Sequence, residues 1–219
     1  WKRQFTQKRP NKLNHFVGVK YHIKVAHPAD LIALHNFENG YCGISQVENN
    51  KYCLCYLTTA HNLRRNRNDI HQAEKNILMK NPFLNQIFST AEFLYEEPVT
   101  ISRISFNKKT QVENHVLLIG DAAGMITPLC GNGMSMAMHG SKLAAEQISD
   151  FLKGRINRFD MEQQYTQQWE KHFGRRLIMG RILQRFFGNA ALSNLLLRVV
   201  KPFPKLTSWL ISLTHGQPF

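Results

Sequence analysis

Alternating apolar and polar positions open the chain. From His15 to Ile23, residues Val17, Val19, Tyr21 and Ile23 recur at period two, which predicts a strand with one buried face. Residues 31–37 make a second short run. Residues 40–47 and 52–57 flank the polar stretch Glu48-Asn49-Asn50-Lys51, a connection suited to a hairpin. Together these runs predict an antiparallel meander. The period then changes. Asn68 or Asp69 can cap a helix reaching about Lys80, with Ile70, Ala73, Ile77 and Leu78 at 3–4 spacing. Asn81-Pro82 restarts the chain into a helix over 83–91, and residues 99–106 return to strand.

Residues 115–120 (His-Val-Leu-Leu-Ile-Gly) form an unalternating apolar run after a polar link, as expected of a strand covered on both faces. A loop containing Gly and Pro follows. Met134, Ala137, Met138, Ser141, Ala144, Ala145, Ile148, Phe151 and Leu152 then mark a helix of about 20 residues. From Asp160 the pattern is helical to the end, with breaks expected near Gly174, Gly188 and Pro202-Phe203-Pro204.

Composition narrows the classes. The 219 residues are 43% hydrophobic, enough for one or two packed cores. The net charge of +13 invites a nucleic-acid reading, but its distribution argues against one. Seven bases and no acid lie up to Lys24; eight bases and no acid lie from Lys171 onward; the middle carries a net −2. No segment reaches the roughly 20 uninterrupted apolar residues of a spanning helix. The start, Trp1-Lys2-Arg3-Gln4, has no signal-peptide core and no initiator Met, and reads as a cut inside a longer protein. Four cysteines do not make a disulfide scaffold at this size, so a reducing, cytoplasmic setting is expected.

One segment carries chemistry: Gly120-Asp121-Ala122-Ala123-Gly124-Met125-Ile126-Thr127-Pro128-Leu129-Cys130-Gly131-Asn132-Gly133-Met134. A strand ending at Gly120 delivers Asp121 to its carboxyl end, where open α/β sheets place ligands. A carboxylate there can accept charge-assisted hydrogen bonds from sugar or polyol hydroxyls. Ala122, Ala123 and Gly124 keep the next turn thin, and Gly131 and Gly133 do the same before the long helix. The first N–H groups of that helix favour negative charge.

These positions, with the helix ending in Lys142-Leu143-Ala144-Ala145-Glu146, resemble the second FAD fingerprint of the p-hydroxybenzoate-hydroxylase-like flavoproteins, most of all the geranylgeranyl-reductase type. The resemblance implies that Asp121 holds a ribityl hydroxyl of FAD and that Gly131-Asn132-Gly133-Met134 meets the pyrimidine edge of the isoalloxazine. It also implies the fold, α/β and α+β: an antiparallel-sheet substrate domain over 1–96, the closing half of a Rossmann-like FAD domain over 97–153, and a C-terminal helical segment over 154–219. Gly40-Tyr41-Cys42-Gly43-Ile44 is similar to the glycine-tyrosine strand of the family's substrate domain, which makes Tyr41 and Gly43 candidates to face the substrate. Tyr165, Trp169, Phe173 and Leu177, with Arg175, Arg176, Arg181 and Arg185, are similar to the reductases' C-terminal segment. No Gly-x-Gly-x-x-Gly occurs, although the family seats the FAD pyrophosphate on one. The expectation is therefore a piece lacking the Gly-rich half and inactive by itself.

The resemblance implies reduction of double bonds in an isoprenoid or other apolar substrate, with FAD as cofactor and NAD(P)H as a candidate electron donor. The alternatives are a flavin-dependent monooxygenase or halogenase of the same fold and, from another class, a basic module for nucleic acid or lipid head groups built on Lys2–Lys12 and Arg64-Arg65-x-Arg67. Nucleic acid is the disfavoured partner. Arginines alternating with Leu177, Ile178, Ile182, Leu183, Phe186 and Phe187 suit an anionic membrane surface or burial in the parent domain. Cys53, Cys55, Cys130, His139 and the methionines Met134, Met136 and Met138 are read as packing residues, and no metal site is expected.

Overall fold

The computed structural model describes residues 15–186 and 190–213. The basic patch Lys2–Lys12, the break expected at Gly188, and Phe187 lie outside the described residues. Two compact units part between Ser105 and Phe106, with residues 190–194 grouped with the first and Leu195 onward with the second.

The first unit is an antiparallel sheet backed by helices. Its strands are β1 (Phe16–Lys24), β2 (Ala33–Phe37), β3 (Gly40–Gln46), β4 (Tyr52–Thr59), β5 (Glu92–Phe93) and β6 (Val99–Ile104). The sheet runs β2-β3-β4-β1, and β1 then pairs with both β5 and β6. Strict alternation sets its faces. Val17, Val19, Tyr21 and Ile23 of β1 join Leu54 and Tyr56 of β4 and Ile44 of β3 in one core. Helices α1 (Ala60–Arg65), α2 (Ile70–Asn76) and α3 (Pro82–Thr90) follow β4, and Ile77, Leu78, Leu84 and Ile87 enter the same core. Asp69 caps α2 by accepting from Gln72 N at 3.0 Å, and Asn81 caps α3 by accepting from Phe83 N at 3.0 Å.

Several expectations change here. Helix α2 stops at Asn76, where Ile77 leaves helical geometry at φ −123°, and residues Leu78–Lys80 form a single 3-10 turn. The domain boundary falls at Ser105/Phe106 rather than 96/97, because β6 pairs with β1: Gly18 stands opposite Ile101 and Lys20 opposite Val99. Cys53 and Cys55 are not core residues. With Tyr52, Leu54 and Tyr56 turned inward, period two places both cysteines on the outer face, where Cys53 is half-buried and Cys55 exposed.

The second unit holds a hairpin of β7 (Val112–Glu113) and β8 (Val116–Leu117), then α4 (Gly133–Leu152) and α5 (Arg158–Phe186), and, after Leu195, the rest of α6 (Ala190–Val200) and α7 (Pro204–Ser212). The expected strand over 115–120 contracts to the two residues of β8, with Val116 and Ile119 exposed. A strand is buried on both faces only within a sheet covered on both sides, and among the described residues β8 belongs to a two-stranded hairpin with β7. Helix α5 runs unbroken through Gly174. One helical glycine costs about 1 kcal/mol, less than the packing of the flanking Phe173 and Leu177 returns. The break at Pro202-Phe203-Pro204 does separate α6 from α7.

Candidate functional site

The segment from Gly120 to Met134 lies within the second unit as two tight turns leading into α4. In the first, Ala123 N and Gly124 N both donate to Gly120 O at 3.1 Å, so the chain doubles back at once. Gly120 makes this possible with φ +55°, and a Cβ there would stand 3.3 Å from Ala137 Cβ of α4. The turn leaves Asp121 and Ala122 exposed while Ala123 is fully buried. In the second turn, over Pro128–Cys130, Cys130 N donates to Thr127 O and Gly131 N to Pro128 O, both at 3.0 Å. Pro128 stands exposed at its start. The chain leaves it through Gly131 at φ +68°, with nothing within 4 Å of the place a Cβ would take.

Helix α4 then begins at Gly133 with Asn132 as its cap residue. The Asn132 side chain makes no cap hydrogen bond, no acid lies in the first turn, and Met136 N donates to Asn132 O at 3.1 Å. Met134 is 83% exposed, and Asn132 and Gly133 are half-buried. The helix start is thus open to an incoming acceptor, with the positive end of a 20-residue helix behind it.

A stripe on α5 holds both turns from below. Tyr165, Trp169, Phe173 and Leu177 recur every four residues, and all are buried against Ala123, Ile126, Cys130 and Met136. Gly124 is the point of closest approach: a Cβ there would lie 2.6 Å from Trp169 Cη2. Thr127 Oγ1 donates to Gly180 O of α5 at 3.4 Å, and Tyr165 donates its hydroxyl proton to Leu118 O. Burial pushes the Cys130 thiol up despite a hydrogen bond to Thr127, and a thiol kept protonated suits packing rather than redox work. His139 is buried on α4 with its ring 4.7 Å from that of His172 and 5.2 Å from that of Phe173. Burial, with His172 and nearby bases adding to it, lowers its pKa, so the ring stays neutral inside the packing.

Two further residues set the first turn. Lys109 Nζ donates to Asp121 O at 2.6 Å, and the buried Gln111 donates through Nε2 to Ala123 O at 3.2 Å and Lys109 O at 2.8 Å. Sequence reasoning passed both over as part of a polar link. No spacing signal marks them, because their function is to hold carbonyl oxygens that become neighbours only after folding.

On the first unit, Tyr41 and Gly43 share the outer face of β3. Tyr41 is buried opposite Leu57, while Gly43 is half-buried, with its missing Cβ 3.3 Å from Leu34 Cδ2. Leu34, Val99 and Ile101 leave this face exposed and apolar.

The family model described as "Lycopene cyclase protein" matches residues 96–212, more than half of the chain and the whole of the segment just described. The chain belongs to the lycopene cyclase protein family. That family is FAD-dependent. The geranylgeranyl diphosphate reductase of Synechocystis sp. is 34% identical over 79 residues, 35% of this chain and 19% of that protein. The conditioned medium factor receptor 1 of Dictyostelium discoideum is 25% identical over 148 residues, 67% of this chain and 28% of that protein. Among solved structures, the flavin-dependent brominase Bmp2 matches with a TM-score of 0.72 at 18% identity, covering 91% of this chain and 50% of that one. A geranylgeranyl bacteriochlorophyll reductase-like protein of Thermoplasma acidophilum matches with a TM-score of 0.66 at 13% identity, covering 96% and 57%. At these identities the structural matches establish the fold: mixed α/β, with an antiparallel sheet and helices as expected. The chain spans about a quarter of the length of the curated relatives and about half of the solved structures.

The family's cofactor fits the residues present. Asp121 presents an exposed carboxylate, Gly124 and Gly131 keep the backbone bare of side chains, and the start of α4 is free of side-chain caps and of acids. Asp121 suits a ribityl hydroxyl of FAD, and the backbone from Gly131 to Met134 suits the electron-rich edge of its ring.

Proposed function

We propose that the chain is the flavin-holding and substrate-facing portion of an oxidoreductase that reduces double bonds of an isoprenoid or similar apolar compound. The observation that carries this reading is the uncapped start of α4 behind the open Gly131, joined to the exposed Asp121 by turns that α5 locks in place. FAD bound there supplies hydride-transfer chemistry. The chain's own residues orient it through Asp121 and place N–H groups where negative charge gathers on reduction. NAD(P)H is the proposed electron donor. On the first unit, Gly43 and the exposed Leu34, Val99 and Ile101, beside the buried Tyr41, are proposed to face the apolar substrate. The likeness to the geranylgeranyl diphosphate reductase of Synechocystis sp. supports that substrate class.

The helices after Leu195 add a proposed partner, an anionic membrane surface. Leu195, Val199, Phe203 and Trp209 are exposed, Arg198, Lys201 and Lys205 stand between them, and no acid follows Glu170. Among the described residues no helix is long and apolar enough to cross a membrane.

A second reading, a monooxygenase or halogenase on the same fold, is favoured by the likeness to the brominase. The visible spectrum of the natural full-length protein, with Asp121→Asn beside it, tests the first. Flavin absorption bands in the wild type, and at least tenfold weaker FAD retention in the variant at unchanged thermal stability, are expected. A colourless protein that gains no flavin bands with added FAD overturns it. Product analysis with reductant, with and without oxygen, separates reductase from oxygenase chemistry.

A further inference from the structure

On the inner side of the first unit's sheet, remote in sequence from the flavin segment, lies a cavity of about 270 Å³. It is at the small end of ligand pockets, which run from about 300 Å³ upward, and so suits a head group rather than an extended molecule. Glu74 of α2 lies in its lining, with its side chain only 6% exposed. Tyr21 and Tyr56 donate hydroxyl protons to Glu74 Oε1 at 2.8 and 2.9 Å, and His71 Nδ1 lies 3.2 Å from Oε2.

This carboxylate is polar-satisfied but not charge-compensated. Its ion-pair partner is His71, which is exposed and charged only when protonated; among the described residues no lysine or arginine pairs with Glu74. A buried carboxylate without a permanent cation is costly. A carboxylate has about four acceptor positions, and the three contacts above leave one on Oε2. Glu96, a second carboxylate, is exposed on the same cavity. Phe88, Phe93 and Met79 complete the lining, and the Tyr21 ring centroid lies 4.9 Å from that of Phe93 and 6.4 Å from that of Phe88.

We propose that this cavity binds a small organic cation carrying a methylated ammonium group. Carboxylates supply the charge, and a lining of aromatic rings and a thioether suits a weakly hydrated cation that sheds its water at little cost. A bare metal ion suits the cavity poorly, because among the described residues no group of three or more His, Cys, Asp or Glu side chains could hold one. The site stands independently of the flavin reading.

The probe is choline, titrated into the full chain and followed by the chemical shift and linewidth of its N-methyl protons. The control is 3,3-dimethylbutan-1-ol, the neutral compound of the same shape. We expect choline to bind with Kd on the order of 1 mM, about −4 kcal/mol, and the neutral compound at least tenfold more weakly. Glu74→Gln keeps an oxygen acceptor for both tyrosines and should weaken choline at least tenfold. Glu96→Gln lies on the surface and cannot disturb the core; it should weaken choline about threefold, and Phe93→Leu more than that. Equal binding of the two compounds, no choline binding to the folded wild type, or unchanged affinity in both Glu96→Gln and Phe93→Leu overturns the proposal.

Discussion

Gly124→Ala is the sharpest single perturbation of the flavin segment. Gly124 has an ordinary backbone conformation, so the substitution tests space alone. The added Cβ would lie 2.6 Å from Trp169 Cη2, 3.0 Å from Cζ2 and 3.1 Å from Leu177 Cδ1, all side chains inside a closed core. Trp169 is 4% exposed and packs edge-on against Phe173 at 5.3 Å, so it has little room to retreat. Overpacking of this kind costs about 1–3 kcal/mol, and replacing glycine by alanine returns about 0.4–1 kcal/mol through the unfolded chain. The net expectation is about 1–2 kcal/mol of destabilisation. For a chain of this size that lowers Tm by about 2–8 °C. Differential scanning calorimetry of the wild type, Gly124→Ala, Trp169→Phe and the double variant makes a complete cycle. Phenylalanine lacks the outer ring atoms that the new methyl would meet, so the double variant should recover about 1 kcal/mol relative to the sum of the singles. Gly131→Ala is the counterpart, with open space but φ +68°, and should cost about 1 kcal/mol that Trp169→Phe does not relieve. A Tm unchanged in Gly124→Ala, or additive single effects, would falsify the packing argument.

Two other outcomes follow from the same structure. Burial raises the Glu74 pKa, and the hydrogen bonds from Tyr21, Tyr56 and His71 only partly oppose it. A raised folded pKa gives stability that is fully present below the unfolded value near 4.5 and is lost as pH rises through the folded one. Thermal melts of wild type and Glu74→Gln should therefore favour the variant increasingly as pH rises above the unfolded value near 4.5; a constant difference contradicts this. At the C-terminal end, cosedimentation with anionic vesicles should weaken with salt and fail with neutral vesicles, each basic residue near the surface contributing about 1 kcal/mol. Phe203→Ser with Trp209→Ser should reduce binding at least tenfold, and salt-insensitive binding or an unaffected double variant argues against the membrane partner.

Much of the fold was legible because local rules and tertiary packing agreed. Strand β1 shows its face through Val17, Val19, Tyr21 and Ile23, and Asp69 and Asn81 mark helix starts by chemistry that acts within three residues. The tight path from Gly120 to Met134 was legible because glycines, a proline and an aspartate at fixed spacing constrain a backbone. The errors share one cause. Apolarity at 116–119 says that a segment prefers burial but not whether neighbours supply it, and among the described residues β8 pairs with β7 alone. A glycine at 174 signals a break until the stripe around it outweighs the cost. Cys53 and Cys55 pass for core residues until the tyrosines and Leu54 between them claim the inner face.

The sequence by itself determined the element types, the glycine-lined path from Gly120 to Met134 and the two basic ends, because each depends on residues close together along the chain. Only the tertiary structure decided that Lys109 and Gln111 hold the Asp121 turn, that Trp169 presses on Gly124, and that Glu74 meets two tyrosines from two different strands. Those contacts join residues from 12 to 53 positions apart, and such pairs leave no period to read. The hydrogen bonds and close packing that define them exist only once the strands and helices have already met.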